Sequence, residues 1–310
     1  MPKMQQTVST ASACLTFALF LWGALTLIVL SGCENYRTDR MIRDLEANEA
    51  EIRMNAAIDL GMMKDPRVAP PLIAALRDKD KYVPLRAAES LVTLGPIAVE
   101  HLLAALRNKE EPHRPVIVRI LGDIRDVRSI DAIEQALADP DPALVGQARE
   151  ALLKVLTTAL KDSRPAVRLQ AAKRLQALPH PAAVEPLLGA LRDPDGNVRQ
   201  RAAIAIGNIG QPAVGSLVGL LKDPDPEIRR MAAEELGKIG APEAVEPLLA
   251  TLRDADQDVS WWSAWALGRM GAPAERALQQ LLQDKNPQVR RWAEAALNKN
   301  KGIPFDPVPR

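Results

Sequence analysis

The chain has 310 residues, with 40 basic and 39 acidic side chains and a formal charge of +1. That balance argues against a dedicated nucleic-acid binder, whose phosphate contacts call for a basic excess. The length fits about two ordinary domains. Aromatic residues make up only 3% of the chain, so a core must be built from Leu, Ala, Val and Ile.

The first segment is polar from Met1 to Thr10, with Lys3 as its only charge, and apolar from Ala11 to Leu30. An apolar run of this length crosses a bilayer as a helix. It also has the order of a secretory signal: a positive start, an apolar middle, then small residues. The junction Leu30-Ser31-Gly32-Cys33 resembles the lipobox of bacterial lipoproteins. The resemblance implies cleavage before Cys33, acylation of its thiol, and a mature chain held at a membrane outside the cytoplasm, in the periplasm or at the cell surface. The other reading is an uncleaved membrane helix with an incidental Cys33. Under the first reading Cys14 leaves with the signal and no disulfide is possible. Residues 1–32 are thus expected to be a signal peptide and 33–40 a short tether.

From residue 41 to 298 the chain repeats itself with a period of about 30 residues. In one copy Ile228, Ala232, Leu236 and Ile239 form an apolar stripe at helical spacing. Asp225 is placed as N-cap, Pro226 as first helical residue and Gly240 as the terminator. A second helix runs through Val245, Leu248, Leu249 and Leu252. A helix pair this short cannot bury its own apolar face, so copies must stack into an α-solenoid. The recurring "VRxxAAxxLGxIG" followed by "AVxPLLxxLxD" resembles the HEAT repeats, in the bacterial variety also called phycobilisome-lyase HEAT-like repeats. That implies an all-α, right-handed solenoid of about eight helix pairs and a half repeat. Near 142–164 one copy is short and lacks the Gly-x-Pro turn, so its two helices fuse or the second is stunted. This copy is either a hinge between two rigid halves or a deletion without a role. Residues 299–310 form a Pro-rich tail.

One column carries arginine in many copies: Arg53, Arg114, Arg168, Arg199, Arg229 and Arg290. It is replaced by Pro84, Val145 and Ser260 in others. It borders the apolar stripe, and the resemblance to HEAT repeats implies a structural Asp–Arg ladder rather than a phosphate stripe. His101, His113 and His180 have no metal-ligand spacing. Deoxyhypusine hydroxylase, a HEAT-repeat enzyme, holds two irons with repeated His-Glu pairs, and none occurs here. No nucleophile motif or phosphate loop is present. The sequence therefore implies no enzyme, no cofactor, no metal, no nucleic acid and no small-molecule substrate.

Tryptophan is the anomaly, because four of five lie near the end: Trp261, Trp262, Trp265 and Trp292. Trp261 and Trp265 are four apart and occupy columns pointing away from the apolar stripe. Arg230 and Arg291 share the column of Trp261. Indoles flanked by arginines have the composition of a binding hot spot. Trp262 and Trp292 share a column nearer the core and fit a cap on the open end of the stack. The expected function is a membrane-tethered scaffold or adaptor that binds another protein. The alternative is a lyase-like or chaperone-like accessory factor acting on a protein substrate through the concave groove.

Overall fold

The computed structural model describes residues 35–300. The expected signal peptide and Cys33 lie outside the described residues, as does the tail beyond 300. Helix α1 occupies residues 35–44. Most of the expected tether is therefore helical. Thr38 on this helix and Leu45 just after it are buried, which ties the helix to its neighbours.

Two-helix repeats follow. In the N-terminal unit they are α2 (Ala50–Gly61) with α3 (Ala69–Ala75), α4 (Tyr82–Leu94) with α5 (Val99–Arg107), and α6 (Arg114–Ile124) with α7 (Ile130–Ala136). Helix α8 (Pro142–Ala159) is the short copy. It is one continuous helix of 18 residues, so the two expected helices are fused. Without a glycine or proline turn nothing breaks its backbone ladder. The chain divides within α8 into two compact units, one ending at Ala151 and the other beginning at Leu152.

The C-terminal unit continues with α9 (Pro165–Ala177) and α10 (Val184–Ala190), α11 (Gly196–Ile209) and α12 (Val214–Leu220), α13 (Pro226–Ile239) and α14 (Val245–Thr251), and α15 (Gln257–Met270) and α16 (Ala272–Leu281). Helix α17 (Pro287–Asn300) is a half repeat. Among the described residues there are thus seven complete pairs, with α8 standing in for the eighth. No helix among them is long and apolar enough to cross a membrane.

The local signals act as the sequence implies. The Asp225 carboxylate accepts the Glu227 N–H at 2.9 Å, with Pro226 at the first helical position. Gly240 ends α13 in the left-handed region, at φ 72°. Arg125 takes that slot at the end of α6 with φ 59° and is the one non-glycine residue with positive φ among those described.

Within each unit the first helices of successive repeats pack against one another more closely than the second helices do. A glycine column permits this closeness. A Cβ added at Gly122 would lie 2.6 Å from Ala151 Cα, and one at Gly237 would lie 2.6 Å from Ala266 Cα. Alanine and leucine fill the space between the layers. Leu60, Leu91, Leu121, Leu175, Leu236 and Leu267 are buried in one recurring column.

Candidate functional site

Five arginines of the column, Arg53, Arg114, Arg168, Arg199 and Arg229, tie their repeat to the next. Arg229 donates to both oxygens of Asp254 at 2.8 Å, and to the Asp223 carbonyl at 2.8 Å. Arg53 does the same to Asp78 at 2.6 and 2.9 Å, and Arg168 to Asp193 at 2.6 and 2.9 Å. Arg114 reaches Asp139 at 2.7 Å. Arg199 departs from the pattern and pairs with Glu227 at 2.9 Å. Arg290, at the last repeat, binds the Asp284 carbonyl at 2.6 Å. Every guanidinium in the column thus caps backbone carbonyls or joins two repeats, and none is left to form a phosphate stripe.

These contacts shift the carboxylates. The Arg53 guanidinium holds the Asp78 carboxyl below its usual range. At Asp254 burial pushes the pKa up, but hydrogen bonds from Arg229 and the Asp256 N–H outweigh it and leave the group depressed. A second set of rungs runs from the ends of the second helices: Arg77 to Glu111, Arg192 to Asp223 and Arg253 to Asp284. Sequence reasoning missed these. The basic residue just before each Asp-x-Asp turn was the available signal.

The tryptophans sit in the C-terminal unit on the first-helix layer. Trp261, Trp262 and Trp265 form an edge-to-face chain along α15, with ring centroids 4.9 Å apart for Trp261–Trp262 and 5.1 Å for Trp262–Trp265. All three are half-buried rather than open to solvent. Trp265 is held from two sides. Its ring edge lies 3.1 Å from where a Cβ on Gly237 would be, and the Arg269 guanidinium stacks on its face at 5.1 Å. The expected arginine flank is therefore rearranged. Arg230 pairs with Glu234 at 3.3 Å on its own helix, and Arg291 lies over Trp292 at 5.5 Å. Arg269, one turn beyond Trp265, is the cation on that site. Its i+4 spacing would have revealed it. Trp292 is 4% exposed, and its indole N–H is buried without a hydrogen-bond partner.

Beside this chain runs a charged one on α13. Lys238 donates at 2.8 Å to Glu234 and at 2.8 Å to Glu235. Glu235 is buried against Gly207, in a column that holds Ser90, Ala151, Ala205, Ala266 and Ala296 in five repeats and Asp59, Ile120 and Arg174 in the others. Burial pushes its carboxyl up, against the pull of Lys238. The arrangement is an aromatic ridge with cations at its edge and a carboxylate–ammonium network alongside. It can grip an apolar or aromatic segment and orient polar groups around it.

The family profile of HEAT repeats matches residues 39–114, 69–154, 153–219 and 214–298. A stretch of 69 residues is 42% identical to the bilin biosynthesis protein RpcF of Synechococcus sp. (strain WH8020), covering 22% of this chain and 33% of that protein. The match therefore spans about a third of the relative's length. Human deoxyhypusine hydroxylase in complex with glycerol aligns at 22% identity and a TM-score of 0.36, over 88% of this chain and 98% of that one. The complex of CpcE and CpcF of phycocyanin lyase from Nostoc sp. PCC7120 aligns at 22% identity and a TM-score of 0.28, over 86% and 94%. Likenesses of that order do not bear on activity. The expectation that the chain is not an enzyme is corrected here. It rested on missing motifs, and the relative it matches at 42% identity is named for a biosynthetic role.

Proposed function

This chain belongs to the HEAT-repeat family, and on that premise we propose that it is a lyase-like accessory factor whose first-helix layer holds a protein substrate during its chemical modification. The observation that carries the reading is the stretch 42% identical to a bilin biosynthesis protein. The ridge of Trp261, Trp262 and Trp265 with Arg269 supplies a surface suited to gripping such a substrate. We further propose that the chain works outside the cytoplasm, tethered to a membrane through Cys33. The apolar run to Leu30 and the Leu30-Ser31-Gly32-Cys33 junction support this.

Crosslinking and affinity capture from membranes test the reading. The captured protein is expected to differ in mass between cells with and without this chain, and an unchanged mass sinks the modifying role. A Trp261→Ala, Trp265→Ala double variant is expected to stay folded and to bind that protein tenfold or more weakly, since hot-spot truncations cost about 2 kcal/mol each. Earlier melting with undiminished capture would instead assign the rings to capping the stack. The tether has its own test. Fatty-acid labelling is expected on the native chain and not on Cys33→Ser, and a mature chain that begins at Met1 without label would refute it.

A further inference from the structure

The large apolar side chains most open to solvent among the described residues are Tyr36, Ile52, Met62, Tyr82 and Leu85, and all belong to the part nearest Cys33. Three of them surround α1. Tyr36 lies on it and is 68% exposed, while Met62 is 73% and Ile52 43% exposed. Arg37 joins the set, because it lines one cavity with Met62 and Met63 and another with Arg40 and Ile52. An ordinary soluble repeat end would present charge here, and this one presents a ring, a thioether and an aliphatic chain.

The outward stripe of α1 is Tyr36, Arg40 and Arg43, spaced i, i+4, i+7, and all three are exposed. None of its members is acidic. Acids border the stripe on both sides, Asp39 one turn from Tyr36 and Arg43, and Asp44 one turn from Arg40. Asp39 is taken up by Arg67 at 3.1 Å, while Asp44 lines the same cavity as Arg37, Arg40 and Ile52. Arg37, Arg40 and Arg43 make no ion pair or hydrogen bond among the described residues. Unpaired arginines on long aliphatic stems beside a tyrosine and exposed apolar side chains suit the boundary between lipid headgroups and acyl chains.

Position supplies the second argument. Only two residues, Glu34 and Asn35, separate Cys33 from Tyr36, and three steps at about 3.5 Å each reach roughly 10 Å. If Cys33 carries acyl chains, the start of α1 cannot leave the headgroup region. We propose that the Tyr36–Arg40–Arg43 face of α1, with Met62 and Ile52 at its edges, seats on an anionic lipid surface and fixes how the first repeats stand on the membrane. This rests on the tethered reading given above.

Amide hydrogen exchange of residues 35–44 tests it. The full chain is placed on vesicles of phosphatidylcholine alone and of phosphatidylcholine with phosphatidylglycerol. Each arginine near an anionic surface contributes about fivefold in local affinity. Exchange in α1 is therefore expected to slow about tenfold or more on the mixed vesicles only. An Arg40→Glu, Arg43→Glu variant should bind both vesicles through its N-terminal segment and lose the difference. Equal exchange on both vesicle types, with the chain still bound, would overturn the lipid seat and leave the tether standing. A chain that binds neither vesicle would overturn the tether and this seat together. Protection by soluble polyglutamate as strong as by the mixed vesicles would assign the stripe to an acidic protein partner and overturn the lipid assignment.

Discussion

The N-terminal and C-terminal units share a frame and differ in what they mount on it. In α2 the three columns that face outward from the first-helix layer hold Met54, Ile58 and Met62. In α13 the same columns hold Arg230, Glu234 and Lys238, and in α15 they hold Trp261, Trp265 and Arg269. Between α2 and α13 the frame columns do not change: Arg53 binds Asp78 as Arg229 binds Asp254, and Gly61 makes the close approach that Gly237 makes. The frame and the outward chemistry are thus written in different columns of one repeat. The frame columns are fixed by sterics and buried polar pairing, and the outward columns are free to take a chemistry.

The largest expected effect tests whether the frame is shared. Gly122→Ala and Gly237→Ala each push a methyl to 2.6 Å from a backbone Cα on the next helix. Backbone cannot step aside, so each is expected to lose about 2 kcal/mol in chemical denaturation, as overpacked cores do. Gly207→Ala meets mainly the end of the Glu235 side chain and should lose less. Losses that differ widely between Gly122→Ala and Gly237→Ala would break the equivalence of the two units.

The rungs come next. Folded-state pKa values of Asp78 and Asp254 are depressed, so their contribution is present above the unfolded carboxylate value of about 3.9. It is lost as pH falls through the lower folded values. Native stability should therefore drop in both units below about pH 4. Arg229→Ala should lose about 2 kcal/mol at neutral pH, since it removes charged hydrogen bonds. It should also flatten the acid response, because Asp254 no longer has a guanidinium to release. An acid limb unchanged in that variant, followed by thermal melting across pH, would show that the rungs do not carry it.

The smallest effect sharpens a difference between the units. Arg125 holds a left-handed backbone conformation where Gly240 does the same work in α13. Arg125→Gly should gain about 1 kcal/mol, and Gly240→Ala should lose about as much. A loss on Arg125→Gly would mean that its side chain makes contacts worth more than the strain.

Periodicity made the repeats, their caps and the arginine column legible, because each rests on local spacing. The aspartate N-caps, the prolines after them and Gly240 are read from neighbours in sequence. The beginning of α1 was hidden because residues 35–40 are polar apart from Tyr36, so the sequence starts the solenoid only at Met41. Glu235 was hidden because nothing local marks a glutamate for burial. Only the neighbouring glycine at 207 makes room for it. The tryptophans were found, but their surroundings were not. Half-burial of Trp265 depends on Gly237 of the preceding first helix, a contact between repeats that spacing within one helix does not reveal.

The rungs described above span between 25 and 34 positions, from Arg53–Asp78 to Arg77–Glu111. Loop-closure entropy is therefore nearly the same for every rung, wherever it lies. A chain built this way has low contact order for its length and has no single long-range contact that must form before the others. Ordering can begin at any repeat and spread to both sides, and disorder enters from the ends. Removing or duplicating a whole repeat leaves every remaining closure at its old length. Removing part of one breaks two.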